Sequence, residues 1–242
     1  MSRTLVLGPS LGTSADACWG ACAALLRDDF DVIVAWELPG HGTSRGPVPE
    51  GLTAADLAAR VLEQVDGPFL YAGDSVGGQI GLQLLLDAPD RVEGAVLCCT
   101  GPKLGDADTW RDRAAQVRAS GTAGLVSATA ARWFAPGFLE REPERASALL
   151  HALRDTDDDG YVAVCGVLAA FDATGRLGEI VAPVVAVAGA DDPVCPPAML
   201  ETIADGVQRG RLVVLDDTAH QAPAERPDDI AAIIRDLAQE TA

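Results

Sequence analysis

Gly73-Asp74-Ser75-Val76-Gly77 is the stretch of this 242-residue chain whose residue types and spacing point most directly to covalent chemistry. The serine follows an apolar run, Pro68–Ala72, and opens a helix-compatible one, Ser75–Leu86. That is the strand–turn–helix setting of a nucleophile elbow. The requirement is geometric: a tight turn lifts the hydroxyl above a sheet, and small neighbours let strand and helix approach. The helix N-terminus beneath then favours the negative charge that develops during attack. Ser75 is the candidate nucleophile. The competing reading is a glycine-rich turn with a capping serine.

A serine hydroxyl needs a base, and the chain has only three histidines. His41, in Pro39-Gly40-His41-Gly42, lies upstream of the serine and reads as a loop-organising residue. His151, in Leu149-Leu150-His151-Ala152-Leu153, reads as a structural histidine on a helix. His220 follows the apolar run Leu212–Leu215 through Asp216-Asp217-Thr218-Ala219, a loop placed to open over the same sheet edge as Ser75. The chain order Ser, acid, His leaves room for an acid only if His220 is the base. The acid must orient the imidazole and stabilise its charged form. Asp191 and Asp192 compete for this role in Gly189-Ala190-Asp191-Asp192-Pro193, after the run Val184–Ala188. The third position after the glycine selects Asp192 and leaves Asp191 as a turn former. Acyl transfer also needs two backbone donors for the oxyanion. Val76, after the nucleophile, supplies one. The loop Gly8–Thr13 supplies the other, with Leu11 as the candidate and Ser10 as the alternative.

These residues need a scaffold that brings loops far apart in sequence to one edge. Short apolar runs at Thr4–Leu7, Asp31–Trp36, Pro68–Ala72 and Val92–Cys98 alternate with helical stretches at Ala15–Leu26, Thr53–Val65 and Ser75–Leu86. Such alternation predicts βαβ units and a parallel sheet. From about 101 to 178 no strand is evident; Trp110–Ala119, Ala123–Phe134, Glu144–Leu153 and Tyr161–Phe171 read as helices. Strand–helix alternation then resumes through Val184–Ala188, Ala198–Asp205, Leu212–Leu215 and Asp228–Leu237. The fold class is α/β, a mostly parallel sheet flanked by helices. Residues 1–100 and 179–242 form the expected core, and 101–178 a helical cap over the sheet edge where ligands bind in open α/β folds.

The formal charge of −18, from 36 acidic and 18 basic residues, argues against nucleic-acid binding, which needs a basic face. It also means that an anionic substrate would need a local arginine. The apolar stretch Leu5–Leu7 is broken by Gly8 and Pro9, too short for a signal peptide or a membrane span. Six cysteines without a Cys-x-x-Cys pair read as buried thiols in a reducing cytoplasm. Asp155-Thr156-Asp157-Asp158-Asp159-Gly160 imitates the start of an EF-hand. Its twelfth position is Gly166, where a bidentate Glu is required, so it reads as a solvated helix connection. No metal or organic cofactor is expected.

Together these residues resemble the 3-oxoadipate enol-lactonases, members of the α/β-hydrolase superfamily that act in aromatic catabolism. The similarity covers nearly the whole chain: Ser10-Leu11-Gly12-Thr13, Leu38-Pro39-Gly40-His41-Gly42, Gly160–Cys165, Gly189–Pro193 and Val214–His220. Arg132-Trp133-Phe134-Ala135-Pro136-Gly137-Phe138, in the cap, is its most diagnostic part. The resemblance implies hydrolysis of 3-oxoadipate enol-lactone to 3-oxoadipate through Ser75, His220 and Asp192. The substrate carboxylate calls for a cation, so Arg132 and Trp133 become candidate substrate-binding residues, with Arg45, Arg111 and Arg113 as other possible anion partners. Two features depart from the family. The β-hairpin that usually precedes the first strand is missing, and Asp74 stands where an apolar or small residue is expected. Facing the pocket, Asp74 would disfavour an anionic substrate; facing the loop, which is the expectation, it serves as a turn or capping residue. A carboxylesterase or a tailoring hydrolase with another substrate is the alternative, and a binding protein that has kept the fold is a third.

Overall fold

The structure is a computed structural model that describes residues 3–241. Its centre is a six-stranded, all-parallel sheet in the order β2-β1-β3-β4-β5-β6. The strands are β1 (Thr4–Gly8), β2 (Val32–Ala35), β3 (Phe69–Asp74), β4 (Val92–Cys98), β5 (Val184–Gly189) and β6 (Gly210–Leu215). No antiparallel hairpin precedes β1 among the described residues, so β2 is an edge strand.

The helices of the α/β part are α1 (Ala15–Leu25), α2 (Ala54–Leu62) and α3 (Val76–Asp87). Between β4 and β5 the chain is helical throughout its regular elements: α4 (Ala107–Ser120), α5 (Val126–Trp133), α6 (Phe138–Arg141), α7 (Pro143–Asp155) and α8 (Asp158–Ala170). Then come α9 (Pro197–Gly206), α10 (Ala222–Glu225) and α11 (Pro227–Glu240).

The four inner strands, β1, β3, β4 and β5, are buried on both faces almost throughout, which explains their continuous apolar sequences, whereas the edge strands β2 and β6 are partly exposed. Successive side chains point to opposite faces. Leu5, Leu7, Leu70, Ala72, Val96, Cys98, Val185 and Val187 pack with Trp19 of α1 and Ile230, Ile234 and Leu237 of α11. Val6, Phe69, Tyr71, Ala95, Leu97, Val184 and Ala186 join the larger core with α2, α3, α9 and the helices between β4 and β5.

Local chemistry sets the helix boundaries. Thr53 caps α2 with Asp56 in a reciprocal capping box, as the sequence predicts. Asp157 caps α8 by accepting from the Gly160 N–H at 3.0 Å, so α8 begins three residues before the expected Tyr161. The run that imitates an EF-hand is thus a helix start. Asp157 is its cap, and Asp158 accepts the Thr122 N–H at 2.8 Å. The expected helix Ala123–Phe134 is two pieces. A 3-10 turn at Thr122–Leu125 leads into α5, and Phe134 is extended.

The sheet order creates the site. From β1 the chain moves to β2 on one side, and β3 then returns to the other side of β1. The carboxyl ends of β1 and β3 are adjacent, with Gly8 opposite Gly73, and this reversal opens a crevice. The loop after β1 packs directly on the turn after β3. A Cβ on Gly77 would sit 2.4 Å from the Gly8 carbonyl oxygen, and one on Gly73 would sit 2.4 Å from the Gly77 carbonyl oxygen. Gly77→Ala is therefore expected to destabilise the fold by more than the ~1–3 kcal/mol typical of overpacking, because the obstructing atoms are backbone. Urea denaturation of the variant measures this.

Candidate active site

Ser75 is the residue between β3 and α3. It adopts φ 54° and ψ −115°, outside the helix that the sequence predicts it to open. A non-glycine residue at positive φ costs on the order of 1–3 kcal/mol and persists only where its surroundings over-determine it. Here the Ser75 N–H donates to the Cys98 carbonyl at 2.9 Å, and the Thr100 hydroxyl donates to the Ser75 carbonyl at 2.7 Å. Tyr71 reinforces the turn by donating its hydroxyl to the Gly77 carbonyl at 2.8 Å.

His220 lies 145 residues away in sequence and 3.1 Å away in space, measured from Nε2 to the Ser75 Oγ. Its Nδ1 lies 2.8 Å from Oδ2 of Asp192. Asp192 Oδ1 accepts from the Val194 and Cys195 N–H groups at 2.7 and 3.0 Å. Burial pushes the Asp192 carboxyl up, but His220 and these two N–H groups pull harder, and the net displacement is downward. The side chain is thus held as a carboxylate, able to fix the imidazole tautomer and to stabilise a developing imidazolium. Of the two competing aspartates the structure brings Asp192 to His220. Asp191 is exposed, and its backbone N–H donates to the Thr218 carbonyl at 2.9 Å. The Cys195 thiol joins Asp192 and His220 in a cluster within 4.8 Å. Both Asp192 oxygens are already engaged by hydrogen bonds, Oδ2 with His220 and Oδ1 with the Val194 and Cys195 N–H groups.

Val76 is the first residue of α3, where a backbone N–H has no partner inside the helix. Leu11 sits in a tight turn closed by Thr13 N–H to the Ser10 carbonyl at 3.2 Å. This turn continues from Gly8 and Pro9, whose backbone packs against Gly77, two residues after Ser75. Both candidate oxyanion donors thus lie in the two segments that the strand reversal brings together.

Three of the residues that hold this arrangement carry no motif. Glu225, buried on α10, accepts the Ala219 N–H at 2.9 Å with one oxygen and the Ala135 N–H at 2.8 Å with the other. It joins the residue before His220 to the segment after α5. The His220 N–H also donates to the Trp133 carbonyl at 3.1 Å. Cys99, at φ 46°, directs its thiol to the Ala219 carbonyl at 3.3 Å. Gln221 donates through Nε2 to the Ser10 hydroxyl at 3.3 Å.

His41 is fully buried, with Nδ1 2.8 Å from the Pro39 carbonyl, and it stacks on Tyr161 of α8 with ring centroids 6.3 Å apart. Burial pushes its pKa down to about 4, so it stays neutral, which suits the loop-organising role. His151 is exposed on α7. Trp133 is buried at the end of α5, and Arg132 is half-buried. Among the other arginines, Arg45 donates to the Gly40 and Asp155 carbonyls and Arg111 pairs with Asp108. Arg113 and Arg132 form no ion pair among the described residues, and both lie close enough to Tyr161 to act on its hydroxyl. Burial also lowers the pKa of Arg132, and repulsion from Arg113 adds to this.

Asp74 does not play the turn or capping role expected of it. It is the last residue of β3 and is fully buried, and α3 has no side-chain cap.

Glu225→Ala leaves two buried N–H groups without acceptors, at about 1–3 kcal/mol each, so the variant is expected to lose several kcal/mol of stability in urea. The depressed Asp192 has the acid-side signature. Its contribution to stability is full above the ordinary aspartate value of 3.8 and is lost as pH falls through the lower folded-state value. Asp192→Asn should therefore flatten the acid limb of stability against pH.

A model of the alpha/beta hydrolase family matches residues 5–233. The 3-oxoadipate enol-lactonase 2 of Acinetobacter baylyi is 33% identical over 92% of this chain and 84% of its own length. A pimeloyl-[acyl-carrier protein] methyl ester esterase of Nitrosospira multiformis is 26% identical over 90% of this chain and 88% of its own. The crystal structure of the enol-lactonase from Burkholderia xenovorans LB400 superposes with a TM-score of 0.92 at 29% identity, covering 99% of this chain and 92% of that one. The strand order, the elbow after β3 and these similarities together place the chain in the alpha/beta hydrolase family, among its 3-oxoadipate enol-lactonase-like members.

Proposed function

We propose that this hydrolase opens a small lactone or ester that carries a carboxylate, with 3-oxoadipate enol-lactone as its substrate and 3-oxoadipate as its product. The observation that carries the reading is His220 held between Ser75 Oγ at 3.1 Å and the Asp192 carboxylate at 2.8 Å. The relatives named as enol-lactonases direct it to a lactone.

His220 Nε2 takes the Ser75 proton as Oγ bonds to the lactone carbonyl carbon. The Leu11 and Val76 N–H groups hold the oxyanion. The ring C–O bond then breaks, and the leaving enol oxygen receives the proton from His220; the enol tautomerises to the ketone. Water attacks the acyl-enzyme and gives its proton to His220, which returns it to Ser75 as the acid leaves. Nucleophile, base and oxyanion donors all come from the chain, so the proposed reaction uses no metal or organic cofactor.

Residues 101–178 act in this reading as a cap over the crevice, with 1–100 and 179–242 as the core. Tyr161 of the cap reaches the oxyanion loop. A Cβ on Gly12 would lie 3.3 Å from its ring. Arg113 and Arg132 flank Tyr161 and have no carboxylate partner among the described residues, in a chain of net charge −18. A substrate carboxylate would relieve their mutual repulsion, and Trp133 would line the same pocket. No helix among the described residues is long and apolar enough to cross a membrane. Six buried free thiols suit a reducing cytoplasm.

A second reading keeps the triad and changes the substrate to a simple ester, in a carboxylesterase or a biosynthetic tailoring enzyme. The methyl ester esterase similarity and the unusual Asp74 favour it. Turnover of enol-lactone by the wild type that Ser75→Ala abolishes supports the first reading; hydrolysis confined to neutral esters supports the second. Arg132→Ala is expected to raise KM for the enol-lactone roughly 10- to 150-fold, the loss of one charged hydrogen bond of about 1.5–3 kcal/mol, while leaving neutral esters little affected. Asp192→Asn should lower kcat by about 10⁴ if Asp192 orients the base.

A further inference from the structure

Asp74 stands beside the nucleophile, yet the proposed reaction does not use it. It continues the face of Leu70 and Ala72 on β3 and so points toward α1 and α11, away from α3. It is fully buried, and neither carboxyl oxygen has a hydrogen-bond partner among the described residues. The groups around it come from every neighbouring element: Cys18 of α1, Cys98 and Cys99 at the end of β4, Asp192 and Cys195 after β5, Glu225 of α10, and Ser10 after β1. Ser10, itself buried, receives the Nε2 of Gln221, whose Oε1 is also unpartnered. Gln221 thus bonds Ser10, and Asp74 lies beside Ser10, so polar side chains from three loops converge on one buried region. Asp74 comes from the nucleophile turn, Ser10 from the oxyanion loop and Gln221 from the base loop.

An unpaired carboxylate in such a place would be costly. Burial, then Asp192 and Glu225, push the Asp74 carboxyl far up, against a weaker pull from Ser10. This environment favours the protonated carboxyl, which has a proton to donate and an oxygen to accept with.

We propose that Asp74 is a positioning residue for hydrolysis, acting with Ser10 and Gln221 to set the Leu11 donor and the His220 ring against Ser75. The proposal rests on the hydrolase reading of Ser75, His220 and Asp192. A neutral carboxyl can serve the Ser10 hydroxyl as donor or acceptor. Ionised, it would add a negative charge close to Asp192 and disturb the loops that carry His220 and Leu11.

Two probes read this without the natural substrate: the rate of Ser75 phosphonylation by a fluorophosphonate, and hydrolysis of p-nitrophenyl acetate, each followed from mildly acidic to alkaline pH. Asp74→Ala is expected to lower both rates about 10- to 100-fold, as small misplacements of reacting groups do, with little change in KM. Asp74→Asn, neutral and of the same shape, should keep most of the activity. It should also keep its rate on the alkaline side, where the wild type loses rate as Asp74 ionises. Gln221→Ala should slow labelling, and the double variant Asp74→Ala/Gln221→Ala should fall less than the two singles added together. Denaturant midpoints supply a second measure. The folded wild type keeps a proton that the unfolded chain releases at the ordinary aspartate pKa, so wild-type stability falls as pH rises above that value. Asp74→Asn should therefore gain on the wild type with rising pH. A folded Asp74→Ala with wild-type rates would overturn the proposal, as would an Asn variant that keeps the alkaline loss or shows no pH-dependent gain in stability. Failure of the underlying reading would look different: labelling or hydrolysis that survives Ser75→Ala, taking the proposal with it.

Discussion

Ser75 is held at φ 54° because strand, helix and oxyanion loop meet with no room between them, and the rest of the site is arranged around that contact. Backbone touches backbone where Gly77 packs on Gly8 and Gly73 packs on Gly77, and the parallel pairing of β1 with β3 brings Gly8 opposite Gly73. A side chain at Gly77 would push α3 away from the backbone of Gly8 and Pro9, which leads into the loop of the candidate oxyanion donor Leu11. The strain in the serine backbone and the closeness of the donors have one cause, the reversal of strand order between β1 and β3.

The segment that carries His220, the candidate base, is fastened by hydrogen bonds from outside the Ser75–His220–Asp192 set. Glu225 takes two backbone N–H groups, one from each side of the boundary between the base loop and the segment after α5, and the Trp133 carbonyl takes the N–H of His220 itself. The segment after α5 is thus fastened to the loop that carries His220. His41 fastens α8 at another point by stacking on Tyr161.

Three acidic side chains share this small, buried region, and their surroundings set them apart. Asp192 has His220 and two N–H donors and stays ionised. Glu225 has backbone donors, but burial outweighs them and pushes its pKa up. Asp74 has neither a cation nor a well-placed donor and is the strongly raised member. Desolvation raises all three, and only Asp192 has a charge partner, His220, that together with its N–H donors outweighs it.

The parallel fold, the elbow at Ser75 and the pairing of Asp192 with His220 were legible in the sequence, because each depends on local pattern: apolar runs, glycine spacing, chain order. The N-terminal extensions of α4 and α8, the break before α5 and the non-helical backbone of Ser75 were not, since capping and crowding decide helix ends. Nor were Glu225, Cys99 and Gln221 as supports of the base, or the burial of Asp74 on the α1 face. None of these carries a motif, and each acts through contacts between segments tens to hundreds of residues apart. By itself the sequence determined which groups could perform acyl transfer and on which class of scaffold. Only the tertiary structure decided which side chains hold those groups in place, because a buried carboxyl or amide takes its role from its neighbours, and packing of distant segments supplies them.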